Sequence, residues 1–107
     1  MTTFDDRERA FETNFAREEE MTFRITARRN RLLGHWAATK MGLTPEEAEA
    51  YATAVVQADF EEAGDDDVVR KIYGDLTAAN VDVEEAVVRR ALDEQLIEAR
   101  RQLIQPE

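Results

Sequence analysis

"KMGLTPEE", residues 40–47, holds a helix stop and a helix start side by side. Gly42 fits the left-handed position after a helix C-terminus, because glycine takes positive φ without a Cβ penalty. Thr44 is a natural N-cap and Pro45 suits the first helical turn. Glu47 stands three residues after Thr44, the spacing of a capping box. Two helices joined by a tight reversal follow.

Upstream, Ile25, Leu32, Leu33 and Trp36 recur at helical spacing across residues 22–41. Downstream, Ala48, Tyr51, Ala52, Val55, Val56 and Phe60 do the same across residues 45–63. Gly64 ends that helix, and Asp65 or Asp66 is expected to cap a third over residues 66–79, with Val69, Ile72, Tyr73 and Leu76 as its apolar stripe. Gly74 inside this helix weakens it by about 1 kcal/mol relative to alanine. Asn80 closes it, and Asp82 with Glu85 has capping-box spacing for a fourth helix over residues 82–104. Val88, Leu92, Leu96, Ala99 and Leu103 line one face of that helix. Four amphipathic helices with short connections predict an all-α fold, a four-helix antiparallel bundle or a close relative.

Composition agrees. The chain has 107 residues, 43% of them apolar, enough for one small domain with a core. Four glycines and two prolines leave little turn material for a β-sandwich or barrel. The absence of cysteine excludes disulfides and thiolate metal sites. No apolar run approaches the roughly 18 residues of a membrane span, and the start does not have the basic-then-apolar pattern of a signal peptide. Net charge is −10, unevenly placed: residues 1–40 carry +1 and residues 41–107 carry −11. So acidic a body argues against binding nucleic acid non-specifically and against docking on or inserting into anionic membrane.

The stretch "FDDRERAFETNFAREEE", residues 4–20, places Phe4, Phe11 and Phe15 on one helical face in a field of charge. No glycine or proline separates it from residues 22–41, so one helix from about residue 4 to Met41 is locally permitted. It would be about 57 Å long at a 1.5 Å rise per residue, twice the length of its partners. The first segment therefore overhangs, folds back or stays unfolded in the free protein. Burying three phenylalanines returns ~1.5–3 kcal/mol each. Ordering seventeen backbone units costs ~1–2 kcal/mol each. Without a surface to enter, the segment is expected to fray and move; with a groove, its rings become anchors.

Little in the chain suggests catalysis. His35 is the one histidine and lacks a second ligand nearby in sequence. The acidic runs at residues 18–20 and 65–67 lack EF-hand spacing, so no metal site is expected. There is no phosphate-binding glycine loop and no nucleophile elbow. Asp59, at the edge of an apolar face, is expected to pair with an arginine. Arg24, Arg28, Arg31 and His35 lie at steps of four, three and four, with Trp36 and Lys40 close by. Such a stripe either covers apolar surface with long stems as a solvated face, or holds an anion such as a nucleotide phosphate beside an aromatic ring.

"FDDRERAF" (residues 4–11), "ARRNRLLGHWAA" (27–38) and "EEAGDDDVV" (61–69) resemble the zeta subunits of alphaproteobacterial ATP synthases, and the similarity continues through the final helix. The resemblance implies a four-helix bundle over residues 21–107 and a mobile inhibitory segment over residues 1–20. Phe4, Asp5, Asp6, Arg7, Glu8, Arg9, Phe11 and Phe15 would be its partner-binding positions. The implied partner is the catalytic head of the ATP synthase, with its alpha, beta and gamma subunits, bound by a protein that is monomeric when free. The implied location is cytoplasmic, peripheral to the inner membrane through that enzyme. No cofactor is required, although the family is associated with adenine nucleotide, and weak ATP or ADP binding would fall to the basic stripe. The competing class is a nucleotide- or anion-sensing bundle whose N-terminus is only a tail.

Overall fold

The computed structural model describes the backbone of residues 3–61 and 64–104, and the side chains of residues 18–59 and 64–104. It contains α1 (Thr3–Met41), α2 (Pro45–Glu61), α3 (Asp65–Ala78) and α4 (Glu85–Ile104), with no strand among the described residues.

The reversal after α1 forms as its residues dictate. Gly42 has φ 74°, its N–H reaches the Thr39 carbonyl at 3.1 Å, and the Leu43 N–H reaches that of Ala38 at 3.0 Å. This Schellman pair satisfies carbonyls that the helix end would otherwise leave open. The capping box closes in both directions: the Thr44 N–H donates to Glu47 Oε1 at 2.9 Å, and the Glu47 N–H donates to Thr44 Oγ1 at 3.2 Å. Asn80 ends α3 in the same way, at φ 63°, with the Val81 N–H on the Leu76 carbonyl at 2.9 Å.

Three boundaries differ from expectation. The first helix does not begin at residue 22 but runs unbroken from Thr3, as the lack of any breaker allows. The N-cap of α3 is neither Asp65 nor Asp66 but Gly64, at φ 141°, and no side chain bonds the open N–H groups. All three aspartates thereby fall in the first turn, where the helix dipole favours them. The fourth helix starts at Glu85 rather than residue 82. Val81 and Val83 both pack on the core. The Val83 N–H bonds the Val81 carbonyl at 3.2 Å, a three-residue turn that seats both side chains against the core and holds residues 81–83 out of the helix.

The core is a single cluster drawn from Leu33, Ala37, Val55, Val68, Val69, Ile72, Leu76, Val88, Ala91 and Leu92. Asn30 faces Asp59, and Gly34 faces Ala52, so α1 and α2 run antiparallel. At the other flank of α1, Gln102 lies beside Arg28, while the start of α4 joins the cluster containing Leu33 and Ala37. That pair is antiparallel too, and α3 contacts all three other helices. Both α2 and α4 thus finish level with residues 24–30 of α1. At 39 residues α1 is about twice the length of α2 (17) and α4 (20), and the molecule extends 65 × 30 × 23 Å.

Polar contacts fix the relative level of the helices. Arg29, only 4% exposed, donates to Asp65 at 3.0 Å and through Nε and Nη2 to Asn30 Oδ1; Asn30 in turn donates to Asp59 Oδ2 at 3.0 Å. The partner of Asp59 is therefore Asn30, not an arginine: Arg29 is already engaged by Asn30 and Asp65. The three aspartates in the first turn of α3 project in three directions, to Arg29 of α1, to Arg89 of α4 and to Arg70 of α3 itself. Tyr51 donates to Asp75 at 2.6 Å, and burial, then that hydrogen bond and the Asp75 charge, push its phenol well above the usual range.

Two glycines in helices invite opposite outcomes on substitution. A Cβ at Gly34 would stand 2.7 Å from the Ala52 Cα, a backbone atom, whereas one at Gly74 meets nothing within 4 Å. Gly34→Ala is expected to destabilise by about 1–3 kcal/mol through overpacking. Gly74→Ala is expected to stabilise by roughly 0.5–1 kcal/mol through helix propensity. Urea unfolding of both variants reads the two signs.

Candidate partner-binding and anion-binding surfaces

The partner-binding positions expected from sequence, Phe4, Asp5, Asp6, Arg7, Glu8, Arg9, Phe11 and Phe15, lie outside the residues whose side chains are described. Their backbone belongs to α1, on the part of the helix that precedes the ends of α2 and α4.

The basic stripe is described in full, and the structure divides it. Arg31 and His35 both meet Glu49 of α2, His35 Nε2 at 3.3 Å. Arg28 donates to Gln102 Oε1 at 2.5 Å. Trp36 is half-buried against the core and carries Lys40 over its ring, 5.1 Å from the centroid. Arg24 is exposed and makes no ion pair among the described residues. Trp36 lies five residues beyond Arg31, about 140° round the helix at 3.6 residues per turn, so the two leave α1 on different sides.

What does assemble is a shallow groove of about 300 Å³ between α1, α2 and α4, where Arg24, Arg28 and Arg31 stand over Phe23, Val56 and Leu103. This is at the lower limit for small-molecule pockets, and it is open. The groove offers cationic edges and an apolar floor, a fit for an anion with an apolar body. Sequence reasoning missed Val56 and Leu103 as its floor, because their meeting depends on how α2 and α4 flank α1. Arg29, in the middle of the same basic run, turns inward instead. Its neighbour Asn30, a polar residue between arginines and leucines, was the available signal that this face of α1 carries a buried polar network.

Further along α4, Ile97 and Ile104 are 68% and 53% exposed. With Arg100 and Arg101 they line a second open depression. Between them Glu98 binds Arg101 and Gln102, and those hydrogen bonds, Arg101 first, hold its carboxyl down at about 2. Among the described residues there is no cluster of metal-binding side chains and no helix long and apolar enough to cross a membrane.

A family model described as ATPase inhibitor subunit zeta matches residues 1–102. A structure solved by solution NMR is 45% identical, covers 81% of this chain and 99% of its own, and superimposes with a TM-score of 0.70. No curated protein matches.

Two arginines should separate structural from available charge. Arg29→Met is expected to lose roughly 1.5–3 kcal/mol, the worth of hydrogen bonds to charged groups, while Arg24→Glu stays within about 0.5 kcal/mol of the parent. Thermal melts of both variants check this. The Glu98 carboxyl, followed by NMR, should titrate at about 2 instead of the ordinary 4.5. Because the folded value is the lower one, any stability it adds is present above the ordinary value and is lost as pH falls towards 2.

Proposed function

The chain belongs to the ATPase inhibitor zeta-subunit family, and from that premise we propose that residues 1–20 are a movable inhibitory element for the catalytic head of the ATP synthase. In this reading the segment enters a catalytic interface between alpha and beta subunits, close to the central gamma shaft. It is held there as an amphipathic helix with Phe4, Phe11 and Phe15 in contact, and it blocks rotation in the hydrolytic direction. Asp5, Asp6, Arg7, Glu8 and Arg9 supply charge around those anchors. The family is regulatory, not catalytic, and this role requires no catalytic residue, metal or cofactor. It requires that the segment bind one conformational state of the motor better than the others.

The observation that carries the proposal is the match itself, which begins at residue 1 and so includes the segment. The helical geometry supports it. Since α2 and α4 finish level with residues 24–30, the bundle offers no flanking helix to the start of α1. The apolar face at positions 4, 11 and 15 is then left for a surface supplied by the motor. The protein acts in this proposal as a monomer, on the cytoplasmic side, attached to the inner membrane only through the enzyme.

A second role rests on the groove at Arg24, Arg28 and Arg31, whose cationic edges suit weak ATP or ADP binding. His35, Trp36 and Lys40 are less suited, since none of them lines that groove. Nucleotide titration followed by backbone NMR shifts at Arg24 and Arg28 tests this role; unchanged shifts at millimolar nucleotide would remove it.

The inhibitory proposal is tested by ATP hydrolysis of the purified catalytic head. The full chain should inhibit, and a chain lacking residues 1–19 should not. Phe11→Ser combined with Phe15→Ser should raise the half-inhibitory concentration by about 100-fold or more, as expected for losing two anchors at ~1.5–3 kcal/mol each. Its melting temperature should remain that of the parent. Unchanged hydrolysis with the full chain would defeat the proposal.

A further inference from the structure

We propose that the end of the bundle from which the N-terminal segment emerges is a second docking surface, built for an acidic amphipathic helix on the ATPase beside the site of segment entry. The inference rests on the inhibitory function proposed above and adds a contact to it.

Ile97 and Ile104 lie seven residues apart, on one face of α4, and are 68% and 53% exposed. They are not part of the inward face, which Val88, Leu92 and Ala99 supply. Arg100 sits between them, exposed and with no ion pair among the described residues. The depression lined by Ile97, Arg100, Arg101 and Ile104 is about 490 Å³ and open. Leu103, on the same turn of α4, lines the neighbouring groove with Arg24 and Arg28. Two shallow apolar depressions therefore flank one turn of α4, and both have arginine rims. The location matters because Gln102 meets Arg28, which puts this surface level with the part of α1 that leaves the bundle.

Charge selects the occupant. The chain carries −10 overall and −11 over residues 41–107, yet the two depressions are lined by Arg24, Arg28, Arg100 and Arg101, while Glu18, Glu19 and Glu20 lie further out along α1. Glu98, the carboxylate within the patch, is engaged by Arg101 and Gln102. A second copy of the chain is a poor occupant: a twofold axis pairing Ile97 with Ile104 would pass between Arg100 and Arg101 and set arginine against arginine. A small molecule would be held only weakly in depressions this open. An amphipathic helix with apolar side chains at i and i+4 and carboxylates beside them answers the apolar floors and the arginine rims together. Held at two places, the inhibitor would dissociate more slowly than by its segment alone, since loss of one contact leaves the other at high effective concentration.

The test uses the full chain and the purified catalytic head, with both hydrolysis and direct binding measured. The variant is Ile97→Ser with Ile104→Ser and Arg100→Glu; Arg100→Glu alone, at an exposed position, serves if the triple variant unfolds. Its melting temperature is compared with the parent in the same buffers. The triple variant should inhibit with a half-inhibitory concentration about 10-fold higher or more, the loss of at least one strong anchor, chiefly through faster dissociation. Arg100→Glu alone should weaken binding several-fold and flatten its salt dependence. Folded variants with the parent's inhibition and dissociation rate would overturn the docking surface while leaving the inhibitory segment standing. If the parent binds without inhibiting and the variants lose binding, the surface stands and the inhibitory function fails. If the parent does not bind, both fall. Self-association of the parent that the variants abolish would assign this face to a second copy and overturn the proposal.

Discussion

The structure depends on the close approach of α1 and α2 at Gly34. With no side chain there, the α1 backbone lies against Ala52, and Val55 comes into the same contact. That approach buries Leu33 and Ala37 together with Val55. It also fixes the level of α2 along α1: with Gly34 on Ala52, the chain of α2 must end near Asn30. Backbone packing at one crossing thereby determines how much of a 39-residue helix is covered and how much is not. Interiors are packed too densely for this level to slide by a fraction of a turn.

Charge is used in two distinct ways. One set of ions is spent on architecture. Arg29 is buried and holds Asn30 and Asp65, and through Asn30 reaches Asp59, so that α1, α2 and the start of α3 are tied in one network. A buried guanidinium is tolerable only when its donors are met, and here Nε, Nη1 and Nη2 each find an oxygen. Among the described residues no buried side-chain nitrogen or oxygen is left without a partner. The other set stays in solvent. Arg24 and Arg100 have no internal obligations, so altering them costs the fold little. Those are the charges that an interaction with another protein can use.

An inhibitor of a rotary motor needs no reactive group. It needs a part that gains more from one state of the motor than from the others, and a body that keeps that part nearby. The sequence of residues 4–15 suits the first need: burying its three rings returns less free energy than ordering the segment costs, so the deficit must be met by the surface it enters. The bundle suits the second, because the described residues of its four helices close on one core cluster.

Much of this was legible in the sequence because it is local. Gly42, Thr44, Pro45 and Glu47 specify their turn through contacts within five residues, and Asn80 specifies the next; four helices and the all-α fold follow from them. The stripes of α2, α3 and α4 announced Val55, Ile72, Leu76, Val88 and Leu92 as core. The failures are non-local. Asp82 and Glu85 have good capping spacing, but packing of Val81 and Val83 on the core holds that stretch in a tight turn. The spacing of Arg24, Arg28, Arg31, His35 and Trp36 is regular, but Glu49 lies on another helix and takes two of them away. Sequence by itself determined the four helices, the turns that end α1 and α3 and the amphipathic character of the first segment, because hydrogen bonds over three to five residues and helical periodicity set those. Only the tertiary structure decided which arginines are buried and which are free, where α1 loses its neighbours and where Ile97 and Ile104 are left in water, because those depend on the level at which separate helices meet.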